Sequence, residues 1–529
     1  MVGAQVLWVR LNLDLFRPVL ESSLLFFELI LAATVIAVLR NAVGVRSFGV
    51  FGPAIIALGL VGAGLLQGLV VYVDVFLVAM VASLSLHNLG MTSSYRVAVV
   101  ISVTAITITV LELAGELFHT HGLEVGIFFP VLITSWLADR YVMQVKELDW
   151  LDPSRRLLGT FIAVLVAFAV ITYEPLVSLV ALNPETWGVI VLINVLLARK
   201  AGFRLSERLR FRPVLHEVED ADDVLGLNRR NRDMMVKYNP RHLFPAVRKD
   251  RMKVAFHQLD VPAPATYAVV EDRRGLETAR RVFETRDSFV IKPASGFGGE
   301  GILVVHREGR PGGPLMARGR EWSVDGLVSH VAQILDGQYS HGLNDVAIVE
   351  QRVVSDHRIA RFHAAGVPDI RVIVLEGFPV MSMVRLPTKE SRGAANLHKG
   401  AIGMGLTIAD GRGVNPFWRG HGGTVDRHPD TGAVLEELSV PDWTRLLEIA
   451  SRAQGASRLG YAGVDMVLDE SGPMVLEVNK RPGLEIQNTN LAGLMRRIRR
   501  VEEALPEHRF SPVSERVRMS QDWDRGGWA

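Results

Sequence analysis

Charge is spread along this chain in a way that no single soluble domain tolerates. Of its 114 Asp, Glu, Lys and Arg residues, 24 lie in residues 1–200 and 90 in the 329 that follow. A leading stretch so poor in charge cannot cover a soluble surface, so lipid must face it and water the remainder. Within it, apolar segments recur near the ~20 residues that a bilayer-spanning helix needs. They fall at 22–39, 48–65, 67–86, 97–118, 125–143, 157–176 and 186–199, which predicts seven spans. Gly62, Gly64, Gln67 and Gly68 alone mark the break between the second and third. The pattern continues far beyond one signal-peptide core. A large buried soluble helix bundle is the alternative reading of the same pattern.

The connecting loops supply independent information. Arg40, Arg46, Arg96, Arg140, Lys146, Arg155, Arg156, Lys200, Arg204, Arg208 and Arg210 all fall at odd-numbered loops. The even loops and their borders carry Glu116, Glu124, Glu174 and Glu185 and no Lys or Arg. By the positive-inside rule the odd face is cytoplasmic, the N-terminus is outside, and everything after the last span is in the cytoplasm. Arg10 and Arg17 sit on the other side of that assignment, so residues 1–20 read as an interfacial segment. Asp74, His87, Asn88, Glu112, His119 and Asp139 lie in or beside the spans, where ionisable groups are functional candidates by default. The stretch Arg46-Ser-Phe-Gly-Val-Phe-Gly-Pro53 and the segment Phe128-Phe-Pro130…Asp139-Arg140 resemble seven-helix membrane domains usually found beside inactive transglutaminase modules.

A formal net charge of +2 gives no basis for nucleic-acid binding, and no basic run with interleaved aromatics stands out. The chain has no cysteine, which excludes disulfides, thiol nucleophiles and Cys-type zinc sites. Residues 201–245 turn abruptly basic, then acidic, then basic again at Asn228-Arg-Arg-Asn-Arg232, and read as a linker with the first helix of a soluble domain. From about residue 246 short apolar strands, among them Ser288–Lys292, Ala347–Glu350 and Ile370–Val374, alternate with amphipathic stretches.

Four features of that region carry chemistry. In Phe289-Val-Ile-Lys-Pro-Ala-Ser-Gly-Phe-Gly-Gly-Glu-Gly301 a strand delivers Lys292 into a loop holding Ser295, Gly296, Gly298, Gly299 and Gly301. Glycines let backbone N–H groups approach phosphate oxygens, and the ammonium neutralises them. The loop lacks the Lys-[Ser/Thr] ending of a P-loop. Lys249 and Lys253, read alone, are surface lysines. Arg371 and Arg385 sit within apolar strand-like sequence ahead of Asn396, and fixed cations so placed suit a transferring phosphoryl group. Finally, Asp465 and Glu477, with Asn479, lie on two apolar strands joined by the turn Asp469-Glu-Ser-Gly472. Hard oxygen ligands clustered that way suit Mg²⁺ bridging nucleotide phosphates.

This ordered set resembles the ATP-grasp superfamily over roughly residues 225–500, and within it the RimK-like alpha-L-glutamate ligases and their sugar-transfer-associated relatives. The resemblance implies a multi-domain chain: an all-α transmembrane bundle at 21–200 and an α+β ATP-grasp ligase domain at 246–505, with a C-terminal tail at 506–529. It implies that Lys249, Lys253 and Lys292 hold the α- and β-phosphates with the glycine loop. Val349-Glu-Gln-Arg-Val353, hence Glu350, Gln351 and Val353, would form the hinge around adenine. Asp465, Glu477 and Asn479 would bind Mg²⁺ or Mn²⁺, and Arg371, Arg385 and Asn396 would surround the γ-phosphate. The activity implied is an ATP-dependent carboxylate–amine ligase working through an acyl-phosphate. Two departures stand out: Lys480-Arg-Pro-Gly483 with Leu484-Glu-Ile-Gln-Asn488 after the triplet, and a Gly- and His-containing insertion from Arg412 to Asp430. Both lie where the acceptor would bind, which leaves glutamate as the added group open. The rival readings are a catalytically silent nucleotide-binding regulator of the bundle, and a transporter with an associated ATP-grasp module.

Overall fold

The computed structural model describes residues 13–86, 93–117, 128–148, 150–183, 185–200, 202–296, 301–309, 312–340, 344–364, 366–419, 421 and 423–528. The chain divides into two compact units at Ser206/Glu207.

The first unit is helical: α1 (Leu13–Val38), α2 (Phe51–Ala63), α3 (Leu65–Leu86), α4 (Ser93–Leu117), α5 (Phe128–Leu148), α6 (Leu151–Ile171), α7 (Glu174–Leu182) and α8 (Glu185–Lys200). Phe27, Leu31 and Ile36 of α1 share a core with Ala54, Ala57 and Leu60 of α2 and Ala163, Val164 and Ala167 of α6. Small residues there let the helices approach closely, which is how packing is gained where lipid removes the usual hydrophobic driving force. Gly59 shows the constraint directly. A Cβ at this position would lie 2.0 Å from the Tyr72 hydroxyl and 2.4 Å from Pro130. The Arg46–Pro53 stretch docks on the start of α6: the Phe48 N–H donates to Thr160 Oγ1 at 3.0 Å, and Arg46 pairs with Asp152 at 2.7 Å.

The expectation of seven even spans needs correcting. Among the described residues three helices are long and apolar enough to cross a bilayer: Leu24–Val43, Leu65–Leu86 and Leu151–Ile171. Glu174–Ala181 and Glu185–Arg199 meet the test together but bend by 106° at their junction. The segment expected at 48–65 is a helix of 13 residues ending at Gly64, φ 77°. At ~1.5 Å per residue it falls short of a ~30 Å hydrocarbon core. Among the described residues the helix beginning at Leu13 runs unbroken to Val38, across the boundary expected near residue 20. Of the intramembrane polar candidates, Asp139 is buried: it accepts from Arg96 Nε at 3.0 Å and from Ser83 Oγ at 2.7 Å, tying α3, α4 and α5 together. Asp74 is exposed. Arg10, His87, Asn88, His119, Glu124 and the side chains of Arg17, Glu112 and Glu116 lie outside the described residues.

The second unit holds two antiparallel sheets. The six-stranded sheet runs in the order β1-β6-β2-β3-β4-β5: β1 (Thr266–Val270), β2 (Ser288–Pro293), β3 (Leu303–Arg307), β4 (Leu315–Ala317), β5 (Arg320–Trp322) and β6 (Ala347–Glu350). The helix α9 (Lys249–Gln258) comes directly before it; α10 (Leu276–Thr285) and α11 (Val324–Leu335) pack on it. Phe283 of α10 stacks on Phe289 of β2 at 4.9 Å, so the core lies between helices and sheet.

The seven-stranded sheet runs β11-β10-β9-β8-β7-β12-β13: β7 (Asp369–Leu375), β8 (Phe378–Leu386), β9 (Ile402–Leu406), β10 (Gly413–Trp418), β11 (Gly423–Thr424), β12 (Tyr461–Asp469) and β13 (Gly472–Asn479). Every residue of β12 is buried, which fits its unbroken apolar sequence apart from Asp465 and Asp469. The helices α12 (Trp443–Ser457), α13 (Ile486–Asn490), α14 (Leu494–His508) and α15 (Val513–Arg525) complete the unit. Over its described residues, the expected C-terminal tail at 506–528 packs on the unit. Trp523 of α15 stacks on Phe378 of β8 at 5.5 Å, and Asp524 accepts from the Ala409 N–H at 2.9 Å.

Candidate functional site

Strand alternation aims the charged residues. Asp465 pairs in register with Arg371 on one side and Glu477 on the other, and Asp369 pairs with Arg385. Directly opposed residues on neighbouring strands share a face, so one face of the large sheet carries all five. Arg371 clasps both oxygens of Asp465 at 2.6 Å, Arg385 reaches it at 3.4 Å, and Arg385 also bonds Asp369. Asn479 Nδ2 donates to Asp465 Oδ2 at 2.9 Å and to Glu477 Oε1 at 3.0 Å. The structure therefore brings Asp465, Glu477 and Asn479 to one point, with both arginines beside it.

A second cluster forms on the smaller sheet. Lys292 of β2 and Lys253 of α9 both pair with Glu350 at the end of β6, at 2.5 and 2.7 Å, all three nearly excluded from solvent. Burial pushes the Lys253 ammonium down to about 8, Glu350 opposing and Lys292 assisting that shift. Burial would raise Glu350, but Lys292 and Lys253 hold it below the ordinary carboxylate value. Lys249 links the glycine loop to the acid–amide cluster: its Nζ donates to the Gly296 carbonyl at 3.1 Å and lies 3.3 Å from Glu477 Oε2. Burial works against the Glu477 charge, yet Lys249 and then Arg371 keep its value at about 2, so it is ionised at any physiological pH.

The glycine loop is pinned at both ends by residues that sequence reading missed. Asp345 is buried; its carboxylate accepts from the Ser295 N–H at 3.0 Å, the Val346 N–H at 2.8 Å and the Ser340 hydroxyl. At the other end His330 Nε2 bonds the Gly301 carbonyl at 2.9 Å, with the Tyr339 hydroxyl at Nδ1. Burial lowers the His330 pKa, so the ring is neutral and the contact fixes its Nε2–H tautomer. Gly301 has φ 68°, and a Cβ there would meet the Tyr339 ring at 2.7 Å. Gly298 and Gly299 lie outside the described residues. Neither Asp345 nor His330 stands out in sequence, because each reaches its partner across tens of residues.

The remaining expected residues sit apart from these clusters or do other work. The Gln351 N–H donates to the Ala265 carbonyl at 2.8 Å, its side chain accepts from the Ala265 N–H at 3.2 Å, and Val353 is half-buried. Asn396 caps a short turn by accepting from the His398 N–H at 2.9 Å; no described hydrogen bond joins it to Arg371 or Arg385. The 412–430 insertion braces that same loop. Trp418 Nε1 donates to the Gly400 carbonyl at 2.9 Å, His421 stacks on Trp418 at 3.8 Å and meets Glu390 at 2.8 Å, and His428 is buried against the Pro387 carbonyl. Gly422 lies outside the described residues. Gly403, opposite Arg385, and Gly405 admit α13 onto the same face: a Cβ on either would come within 2.8 Å of Thr489. Among the described residues no three His, Asp or Glu side chains form a metal cluster; the set is two carboxylates and an amide.

Residues 229–503 match the family described as sugar-transfer associated ATP-grasp, and residues 12–215 match that described as seven transmembrane helices usually fused to an inactive transglutaminase. No curated protein matches the chain. Similar solved structures include the ATP-grasp ligase PsnB complexed with minimal precursor, at 12% identity and TM-score 0.26, over 54% of this chain and 63% of that one. D-cycloserine synthetase DcsG follows at 17% and 0.30, over 50% and 73%. The D-alanine–D-alanine ligase from Bacillus anthracis complexed with ATP stands at 15% and 0.27, over 54% and 68%. The chain thus spans less than two thirds of the first of these, and likeness so loose adds no weight to any reading of the site.

Proposed function

The chain belongs to the sugar-transfer-associated ATP-grasp family, and from that membership and its site we propose a membrane-anchored, ATP-dependent carboxylate–amine ligase. The observation that supports this most is the contact of Lys249 with both the glycine loop that follows Lys292 and Glu477 of the acid–amide cluster, with two arginines alongside. Nucleotide binding alone has no use for Arg371 and Arg385 on the acid face.

In this reading Lys292, Lys253 and Lys249 bind the α- and β-phosphates, and the Ser295–Gly301 loop covers them. Glu350 holds Lys253 and Lys292 together through one carboxylate. Gln351 and Val353 border the adenine. The donor chemistry fits a hard cation, since two carboxylate oxygens converge within 3.0 Å of one amide atom of Asn479. The O and N of such an amide exchange by a half-turn. Asp465, Glu477 and Asn479 would hold Mg²⁺, with Mn²⁺ as the substitute, and the ion when bound supplies charge neutralisation at the phosphates. Arg371 and Arg385 stabilise the transferring phosphoryl group, a role for preorganised cations in a water-poor site. The substrate carboxylate takes the γ-phosphoryl group and ADP leaves; an amine then attacks the acyl carbon, and inorganic phosphate departs as the amide forms. Asn396, on its braced loop, faces the acyl group.

The helical unit, whose described residues include three helices long and apolar enough to cross a bilayer, or four if the bent pair is one span, anchors the enzyme in the cytoplasmic membrane with the ligase on the cytoplasmic side. That places the reaction beside a lipid-linked or envelope-associated acceptor. The ligase reading is tested by incubating full-length protein in detergent with ATP, Mg²⁺, hydroxylamine and pooled carboxylates. Hydroxamate formed together with ADP supports it. Tight ATP binding with no hydroxamate from any pool favours the silent regulator instead.

A further inference from the structure

Beyond the residues that face the site, one buried amide holds its frame. Asn239 lies in the segment preceding α9 and is 1% exposed. Its Nδ2 donates to the carbonyls of Tyr461 at 2.7 Å and Lys480 at 2.9 Å, while its Oδ1 accepts from the Tyr461 N–H at 3.0 Å. The neighbouring Tyr238 carbonyl accepts from the Gly460 N–H at 2.8 Å. Tyr461 opens β12, and Lys480 follows the last residue of β13. The described ladder between these strands ends at the Gly463–Asn479 pair. Asn239 therefore bonds both strands where their own pairing stops, one residue beyond Asn479 and four before Asp465.

The crossing it secures is tight. After Lys480 the chain folds back over β12, where a Cβ on Gly463 would lie 2.7 Å from Pro482 and one on Gly483 would lie 3.7 Å from Arg371 Nη1. Arg230 Nη1 holds the Pro482 carbonyl at 2.9 Å. Resting on the cation-site reading above, we infer that Asn239 is a positioning residue for that site. Through the backbones of Tyr461 and Lys480 it sets the spacing at which Asp465, Glu477 and Asn479 meet a divalent ion. The phosphate lysines lie on α9 and β2, outside this clamp. Substitution should then loosen cation binding and spare cation-free nucleotide binding.

The experiment uses full-length protein in detergent and two probes, a fluorescent ADP analogue titrated in EDTA or in graded Mg²⁺, and Mn²⁺ followed by electron paramagnetic resonance. For Asn239→Ala the expected result is an ADP-analogue affinity in EDTA within about twofold of wild type, with the Mg²⁺ half-saturation point and the Mn²⁺ Kd raised about tenfold or more. Asn239→Ser stays uncharged and keeps a hydroxyl that can serve one of the backbone partners, so it shifts the same two readouts less. It decides the matter if the alanine variant does not fold. Unchanged cation dependence in a folded variant overturns the inference, as does an equal loss with and without cation. A wild type whose nucleotide binding ignores Mg²⁺ and which binds no Mn²⁺ overturns the cation reading and this inference together. A wild type that binds Mn²⁺ at these residues but no nucleotide counts against the ligase reading alone.

Discussion

At the scale of single residues, the site works by paying for buried charge with opposite buried charge. Glu350 holds two lysines and Asp465 two arginines, which is why neither cluster need collapse when empty. Lys253 has a folded value of about 8, below the ~10.4 of an exposed lysine. Folding therefore sheds a proton between those values, so this lysine opposes the fold below pH 8 and the penalty fades as pH rises towards 10.4. Nucleotide binding runs the other way, because the charged form is lost as pH climbs through 8. A charge-assisted hydrogen bond is worth about 1.5–3 kcal/mol, so ATP-analogue affinity should fall about tenfold between pH 7 and 9. Lys253→Arg should flatten that profile, measured by equilibrium titration; a wild-type profile already flat would show that Lys253 does not touch phosphate. Lys292, Arg371 and the Asp465–Glu477 pair were legible in sequence because each sits in an apolar strand, where a charge needs a reason. Without the family resemblance Lys249 read only as a surface lysine, since its partner Glu477 is more than two hundred residues away. Glu350 was legible only as part of a hinge, whereas its side chain serves the lysines.

At the scale of elements, the hairpin β12–β13 was readable from its turn, and Asp469 does pair with Gly472 across it. The glycine loop was readable as a loop, but not what restrains it. Its pins, Asp345 and His330, come from the end of a connection and the middle of α11, where single polar residues look ordinary. Replacing Asp345 with Ala leaves three donors without their acceptor, two of them buried, a loss of about 3 kcal/mol. The melting temperature should drop by several degrees and ADP-analogue affinity with it, while His330→Gln, which keeps a donor towards Gly301, should stay near wild type. Equal nucleotide affinity in Asp345→Ala would mean the loop needs no anchor. The helical unit was the least legible part. Hydropathy counts apolar residues but does not show where a helix stops, so a 13-residue α2 was read as an ordinary span and most of α7 as the loop between the spans at 157–176 and 186–199.

For the molecule as a whole, the uneven charge was enough to divide it, and the division falls at Ser206/Glu207. Orientation rests on the charge pattern of the loops. The absence of cysteine makes it directly measurable. In intact cells a membrane-impermeant thiol reagent should label Asn183→Cys, between α7 and α8, and should reach Ser471→Cys in the β12–β13 turn only after permeabilisation. The reverse order would invert the topology. Truncation near residue 205 bears on the anchor: unchanged modification of the native acceptor in cells would show that the bundle is dispensable. The most direct measurement of the account is phosphate release from ATP by full-length protein in detergent with Mg²⁺, across a pooled panel of amino acids and small carboxylates, wild type against Glu477→Ala. The account predicts release that requires one carboxylate–amine pair and falls by at least about a hundredfold in the variant, as loss of a metal-holding carboxylate should. Release indifferent to the carboxylate and amine supplied, or undiminished in Glu477→Ala, would contradict it.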